Sequence, residues 1–262
     1  MVRYGKAFGP GYQARYLPHE IDGDIVEIER ILKHAGIGMN LYRPAEAAPD
    51  EVRFKLYHFD HPVPLSDVLP VFEHLGFRVI DEAGPHEVDL SGAGRGKLII
   101  HNFGLRSSSG AGIDLDAIRE NFHQTFEQVW NGEVESDGFN ALVACAGLAP
   151  REVMVLRAMC KYLLQARIPF SQTYMEQTLI ANPGIAGDIV SMFAIIFNPV
   201  TCHEAKTKAP RIKRRILKTL EAVESADQDR IVRRYLNLLE SMLRTNFYQT
   251  DTNGGTKAYF SF

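Results

Sequence analysis

The chain has 262 residues, 45% of them hydrophobic and 23% charged, and a formal net charge of −3 at pH 7. These ordinary globular values argue against a disordered or fibrous chain, and the small negative charge gives no general attraction to nucleic acid or to an anionic membrane. Three cysteines without metal-ligand or CxxC spacing, and the lack of a signal peptide or of an apolar run of about 20 residues, predict a reduced, cytoplasmic protein.

The first 50 residues predict one helix and one short strand. Residues 1–18 mix glycine, proline and aromatic residues without a period, and we expect them to be irregular. Asp22 or Asp24 can cap a helix whose isoleucines fall on one face. Residues 39–43 are a strand candidate, and the Ala- and Pro-rich residues 44–50 predict a loop.

Residues 51–131 change between strand and helix periods. The predicted elements are a strand at 52–59, a helix capped by Ser66, strands at 77–80 and 87–90 around an Ala-Gly-Pro turn, a strand at 97–105 and a helix at 115–130 capped by Asp114. This order predicts an α+β chain that begins with a ferredoxin-like βαββα domain, to which residues 39–43 add an edge strand.

Residues 137–199 predict four short helices that bury one another's apolar faces, because none is long enough to persist alone in water. The residues expected to cap, open or separate them are Asp137, Gly147, Pro150, Ser171 and Asn182–Pro183.

After a predicted polar linker at 203–210, two amphipathic helices are expected to form a hairpin. The first covers 211–224, and Asp227 or Asp229 begins the second. The final YFSF predicts a strand-like tail without a partner strand.

Two basic or glycine-rich stretches are weak site candidates. The glycine cluster at 92–97 precedes a strand, whereas a dinucleotide-binding turn follows one, so a hairpin loop is favoured. The basic run 211–215, with Arg233 and Arg234, is balanced by nearby acids and predicts a solvated helix face, not a nucleic-acid site.

For the histidines and cysteines, a structural or surface role is favoured over a functional one. Five histidines fall in the strand-bearing segment and, with Asp60 or Asp81, could bind a metal. They are His58, His61, His74, His86 and His101. We favour loop and surface histidines instead, and predict no metal site. Cys145 and Cys160 fall on apolar helix faces and predict small buried hydrophobic residues, not nucleophiles.

Several long phrases resemble the large-subunit, NAD-specific glutamate dehydrogenases of bacteria. They are KLYHFDHPVPLSDVLPVFEHLGFRVIDE, ESDGFNALV, FSQTYME and DRIVRRYLNLLESMLRTNFYQ, in the family's order, and the resemblance covers residues 8–262. Two places depart from the family pattern, at Ala149–Pro150 and at residues 82–88, which indicates a divergent member.

The resemblance implies a segment that lies immediately before the catalytic core and is itself without catalytic or NAD-binding residues. The parent enzyme would oxidatively deaminate L-glutamate to 2-oxoglutarate and ammonia with NAD. The expected parts are a leader with a helix and edge strand at 1–50, an ACT-like domain at 51–131, a helical domain at 132–200, a helical hairpin at 201–250 and a tail at 251–262 that leads into the core.

The resemblance also implies partners. We expect the segment to contact the downstream core of the same chain, to form a homo-oligomer and to bind an amino-acid effector. We expect no nucleic-acid partner and no membrane. ACT domains commonly hold an amino-acid effector where the loop 60–66 enters a helix, which makes His61, Ser66 and Asp67 candidate contacts. An ordinary strand-to-helix connection is the favoured alternative for that loop. A stand-alone amino-acid sensor is the alternative function for the whole chain.

Overall fold

A computed structural model describes residues 4, 6–34, 36–59, 61–91, 95–252, 254–257 and 259–262. The chain divides into two compact units, Met1–Ser136 and Asp137–Phe262. In the first unit the elements are α1 (Pro10–Arg15), α2 (Pro18–His34), β1 (Gly38–Tyr42), β2 (Glu51–Phe59), α3 (Leu65–His74), β3 (Phe77–Asp89), β4 (Lys97–Ser107) and α4 (Leu115–Trp130).

The four strands form one sheet in the order β1-β2-β4-β3, and every neighbouring pair is antiparallel. The first unit is therefore α+β, as the alternation of strand and helix periods predicts. The edge strand predicted at residues 39–43 is present as β1, which lies beside β2.

One face of the sheet packs on α3 and α4 through aromatic residues. The Phe54 ring on β2 lies 5.3 Å from Phe72 of α3 and 4.8 Å from Phe126 of α4, centroid to centroid. Asp114 accepts from the backbone N–H of Ala117 and so caps α4, which confirms that prediction. This face is the apolar core expected where helices cover a sheet.

The other face is covered by α1 and α2, and here the predictions for the first 34 residues fail. Residues 10–15 are helical instead of irregular, and α2 begins at Pro18 instead of at Asp22 or Asp24. Asp24 lies in the middle of α2 and is fully buried. Apolar groups of both helices pack on the strand residues Tyr57, Val88, Leu98 and Ile100 and on Leu90, which follows β3.

The turn predicted between two strands at 77–90 is also wrong, because β3 runs through it as one strand. Its pairing with β4 is irregular in two places, between Val79 and Asp81 and between Ala83 and His86. The Ala-Gly-Pro segment therefore produces a register shift, not a chain reversal. The predicted hairpin loop at 92–97 falls partly outside the described residues.

In the second unit the helices are α5 (Ala141–Ala146), α6 (Pro150–Gln165), α7 (Gln172–Ala181), α8 (Pro183–Phe197), α9 (Ala205–Leu220) and α10 (Ala226–Ser241). Local signals place most of their ends correctly. Asp137 caps a short 3-10 turn that leads into α5, Gly147 ends α5 at φ 66°, and Ser171 accepts from Tyr174 to cap α7. Their apolar faces form one core.

Three predictions for the C-terminal part are wrong. The polar linker at 203–210 is largely helix, since α9 begins at Ala205 and continues through Pro210. Helix α10 begins at Ala226, with Ser225 as its cap, and not at Asp227 or Asp229, which lie in its first turn. Residues 259–262 form no strand; the backbone at Tyr259 and Ser261 is held by the Asn246 side chain at 2.9 and 2.8 Å.

Candidate functional site

A buried ion pair lies at the centre of the sheet face that α1 and α2 cover. Asp24 of α2 and Lys55 of β2 are 0% and 2% exposed, and the Lys55 ammonium donates to both carboxylate oxygens at 2.8 and 2.9 Å. Tyr12 of α1 and Tyr57 of β2 donate to the same carboxylate at 2.5 and 2.6 Å. Four donations compensate the buried charge of Asp24, so the cluster joins both helices to the sheet.

The tyrosines of this cluster remain neutral. Burial, followed by the charge of Asp24, raises the pKa of Tyr12 and of Tyr57 above the ordinary phenol value. Burial raises the pKa of Tyr42, on the neighbouring strand β1, to about 12. The Lys55 ammonium also lies 4.3 Å from the centre of the Tyr16 ring and 5.7 Å from that of Tyr42.

The polar cluster continues across the sheet through Asn102 on β4. Its amide donates to the hydroxyls of Tyr16 and Tyr42 at 2.8 and 3.0 Å, and its oxygens accept from the Arg53 guanidinium. Arg53 in turn pairs with Asp81 at 2.7 Å. The donors and acceptors satisfy one another, which is an arrangement that positions elements, not one that activates a nucleophile.

A cleft of about 650 Å³ opens beside this cluster, between the beginning of α2 and the end of β1, with Lys55 contributing to its lining. Sequence patterns missed the whole region. Asp24 was predicted only as one of two alternative helix caps, and Lys55 was not singled out as a site residue. The one local signal was Tyr57, a large aromatic residue two positions after Lys55 on the same strand face.

The residues predicted to contact an effector lie in the loop before α3 and in its first turn, and none of them lines one of the three described cavities. His61, Ser66 and Asp67 are all exposed. The prediction that Ser66 caps α3 is wrong, because Leu65 begins the helix and Pro64 occupies the N-cap position without a side-chain bond. The Ser66 hydroxyl instead donates to Asp67 at 3.1 Å.

The histidines divide between the surface and the core. His101 is buried, which contradicts its prediction as a loop or surface residue, and its ring joins Glu82 at 2.6 Å to the backbone N–H of Val63 at 3.1 Å. It thereby anchors the loop before α3. His86 packs edge-on against Tyr12. Within the described residues no group of three metal-ligating side chains is found.

A second buried polar cluster fastens the start of the helical unit. Arg157 of α6 donates twice to Asp137, at 2.8 Å each, and once to Asn140 at 2.6 Å. Gln172 donates to Asp137 and, at 2.8 Å, to the largely buried Glu176. Asp137 therefore both caps the first turn and pairs with a cation from another helix.

The remaining candidates are surface or core residues. Arg215 and Lys213 of α9 pair with Asp188 and Glu240, not with the acids that the sequence placed nearby. Cys160 is buried as predicted, whereas Cys145 is exposed, contrary to its prediction.

No single described helix is both long and apolar enough to cross a membrane. The pair α7 and α8 passes a length and composition test together, but with a 99° bend between them, and both helices contribute to the core of the second unit.

Three family models match successive parts of the chain. They are described as glutamate dehydrogenase, ACT3 domain (residues 36–118), glutamate dehydrogenase, helical motif 3 (residues 134–199), and bacterial NAD-glutamate dehydrogenase, catalytic domain (residues 215–262). The last match begins inside α9, so α10 and the tail fall within the span of the catalytic-domain model.

Curated relatives match over nearly the whole chain. The NAD-specific glutamate dehydrogenase of Pseudomonas aeruginosa is 36% identical over 265 residues, and that of Halomonas elongata is 37% identical over 262 residues. Each alignment covers 100% of this chain and 16% of the relative. The enzyme of the same name from Mycobacterium tuberculosis is 28% identical over 95% of this chain and 15% of its own length. The chain thus spans about a sixth of these relatives.

Proposed function

Because this chain belongs, as one segment, to the family of large bacterial NAD-specific glutamate dehydrogenases, we propose that it is a non-catalytic part of such an enzyme. The parent enzyme oxidatively deaminates L-glutamate to 2-oxoglutarate and ammonia with NAD. The observation that carries the proposal is the order of the matches, in which only residues 215–262 fall under a catalytic-domain model. The cytoplasmic location and a homo-oligomeric state belong to the same proposal.

The segment's own role in this proposal is to support assembly and control of the catalytic core. Each unit has its own apolar core, and the buried charges of each are paired internally, at Asp24 and Lys55 in the first and at Asp137 and Arg157 in the second. Such closed polar clusters hold helices in fixed positions. Units whose buried polar groups pair with one another are better suited to a supporting role than to catalysis.

The first unit, in this proposal, is a ferredoxin-like βαββα domain of the ACT type. The order β2-α3-β3-β4-α4 supports it, with β1 at the edge beside β2. The division of the chain at residues 50, 131, 200 and 250 is proposed with it.

His61, Ser66 and Asp67 are proposed as contacts for an amino-acid effector. Their exposure at the loop and first turn of α3 supports this, since the N-terminal end of a helix favours a carboxylate. Calorimetric titration of the chain with the common amino acids tests it, with Ser66→Ala as the variant. Heat that is equal for the variant and the unchanged chain would remove these residues from the proposal.

The non-catalytic role is tested by an assay of NADH formation from L-glutamate and NAD. The 262-residue chain should form none, whereas the full-length parent enzyme, as the positive control, should do so. Turnover by the chain alone would contradict the proposal. Deletion of residues 1–131 from the parent should reduce activity or oligomer size by light scattering, and unchanged values for both would contradict the supporting role.

A further inference from the structure

The two units of the chain carry opposite net charges. The first has 13 Lys and Arg residues against 21 Asp and Glu residues, a net charge of −8, whereas the second has 16 against 11, a net charge of +5. The small net charge of the whole chain, −3, conceals this difference. Unlike charges attract, so the charge distribution favours contact between the first unit of one copy and the second unit of another.

The positive charge of the second unit is concentrated on α9. Residues 206–218 hold seven bases and no acid. Arg211, Arg214 and Lys218 are exposed and lie on one side of the helix, because they are three and four residues apart. The residues of α9 that enter the core lie on its other side. Arg211, Arg214 and Lys218 therefore form a basic face of α9.

The acids of the second unit leave this basic face uncompensated. None of its three bases forms an ion pair within the described part of the chain. Asp227 and Asp229, which follow α9 in the sequence, pair with bases of α10, and Glu221 and Glu224 form no ion pair among the described residues. Cations three or four residues apart on a helix repel one another. An acidic surface placed against the basic face would offset that repulsion.

A helix of the same length in the first unit carries the opposite charge. Helix α4, like α9, has 16 residues, and residues 114–135 hold six acids and one base. Asp116, Glu120 and Glu127 lie on one side of α4, away from its buried residues, and form its acidic face. Asp116 pairs with Arg119 of the same helix, whereas Glu120 and Glu127 form no ion pair among the described residues. Each helix is about 24 Å long, so the two faces can align along their whole length.

We propose that the basic face of α9 binds the acidic face of α4 in a second copy of this chain. Each copy carries both faces, so identical chains supply both halves of the contact. A second copy is favoured over nucleic acid or an anionic membrane, because the net charge of −8 on the first unit repels such polyanions.

This inference rests on the homo-oligomeric state within the proposed function, and the two fail separately. Self-association is measured on the chain without L-glutamate or NAD. The non-catalytic role fails only if the chain by itself forms NADH.

The first test is sedimentation velocity of the 262-residue chain at low and at high salt. At about 50 mM NaCl the chain should self-associate with a dissociation constant below about 100 μM. At about 500 mM NaCl the affinity should fall at least about 10-fold, because salt screens contacts between exposed charges. A chain that stays monomeric at low salt, or associates equally in both, would overturn the inference. So would binding of a DNA duplex or of phosphatidylglycerol vesicles by a chain that does not self-associate.

Charge reversal assigns the contact to the two helices. One double variant, Arg211→Glu with Arg214→Glu, makes the basic face of α9 acidic, and another, Glu120→Lys with Glu127→Lys, makes the acidic face of α4 basic. None of the four side chains is buried, so the fold should be retained. Each double variant alone should self-associate at least about 10-fold more weakly than the unchanged chain. An equimolar mixture of the two should recover the association, because every α9 then meets an α4 of opposite charge. A mixture that stays monomeric would contradict the assignment.

The matched control reverses two bases outside α9. Lys33→Glu with Arg78→Glu alters two exposed bases of the first unit and changes the net charge as much as the double variant of α9 does. This control should associate at least as tightly as the unchanged chain. An equal loss in the control and in the α9 variant would show that total charge, not the basic face, governs association, and would overturn the inference.

Discussion

Replacement of Lys55 by methionine removes the cation from the buried ion pair and leaves Asp24 uncompensated. Asp24 is 0% exposed, so water cannot replace the lost ammonium, although the Tyr12 and Tyr57 hydroxyls still donate to the carboxylate. Breaking a buried pair on one side typically costs about 3–5 kcal/mol. Because the two hydroxyls remain, we expect Lys55→Met to lower the free energy of unfolding of the first unit by about 3 kcal/mol.

Urea unfolding followed by tryptophan fluorescence measures this loss. Trp130, at the end of α4, is the single tryptophan of the chain, so its emission reports the first unit. With a denaturant slope of about 2 kcal/mol per molar urea, a loss of about 3 kcal/mol lowers the midpoint by roughly 1.5 M.

The chain supplies a matched control for the same substitution. Lys97 pairs with Glu87 at 2.6 Å, but the two side chains are 63% and 61% exposed. Lys97→Met should therefore leave the urea midpoint nearly unchanged. The double variant Asp24→Leu with Lys55→Met removes both charges and should recover part of the loss. If Lys55→Met costs no more than Lys97→Met, the ion pair does not hold the helices to the sheet.

Two further predictions concern a neutral histidine and two glycines. Burial lowers the pKa of His123 from 6.5 to about 4, and its Nε2 accepts from the backbone N–H of Leu41 at 3.0 Å. Because the folded pKa lies below the unfolded one, the first unit should lose about 2.5 kcal/mol as the pH falls from 6.5 to 4. Urea unfolding should show a smaller loss in His123→Gln. Gly187→Ala in α8 should stabilise the second unit by about 0.5–1 kcal/mol, since a Cβ there meets nothing within 4 Å. Gly138→Ala should destabilise it by about 1–2 kcal/mol, because its Cβ would lie 2.6 Å from Glu176 Oε2; thermal unfolding by circular dichroism measures both.

Clear outcomes would contradict these two predictions. An identical pH dependence in His123→Gln and the unchanged chain would show that His123 is not the group that resists protonation. For the glycines, the sign of the change in stability is decisive, since the two substitutions are chemically the same and differ only in their surroundings. Equal effects of Gly138→Ala and Gly187→Ala would show that the contact with Glu176 does not control the first position.

What the sequence by itself determined is local. The caps at Asp114, Asp137 and Ser171 and the stop at Gly147 were predicted correctly, because each depends on a side chain or backbone angle within about three residues of the helix end. The class of the first unit followed from the same local periods, since strand and helix patterns alternate along the chain.

Only the tertiary structure decided which face of the sheet is covered and by what. Asp24 and Lys55 are 31 residues apart, and no local signal marks either as half of an ion pair, since Asp24 has an ordinary explanation as a helix cap. Their burial requires α1 and α2 to fold onto the sheet. The hydrophobic period of β2 does not reveal this covering. The same holds for the cleft, whose walls are distant in sequence. Local periodicity reports which side of an element is apolar, whereas the partner of a polar side is set by packing between elements.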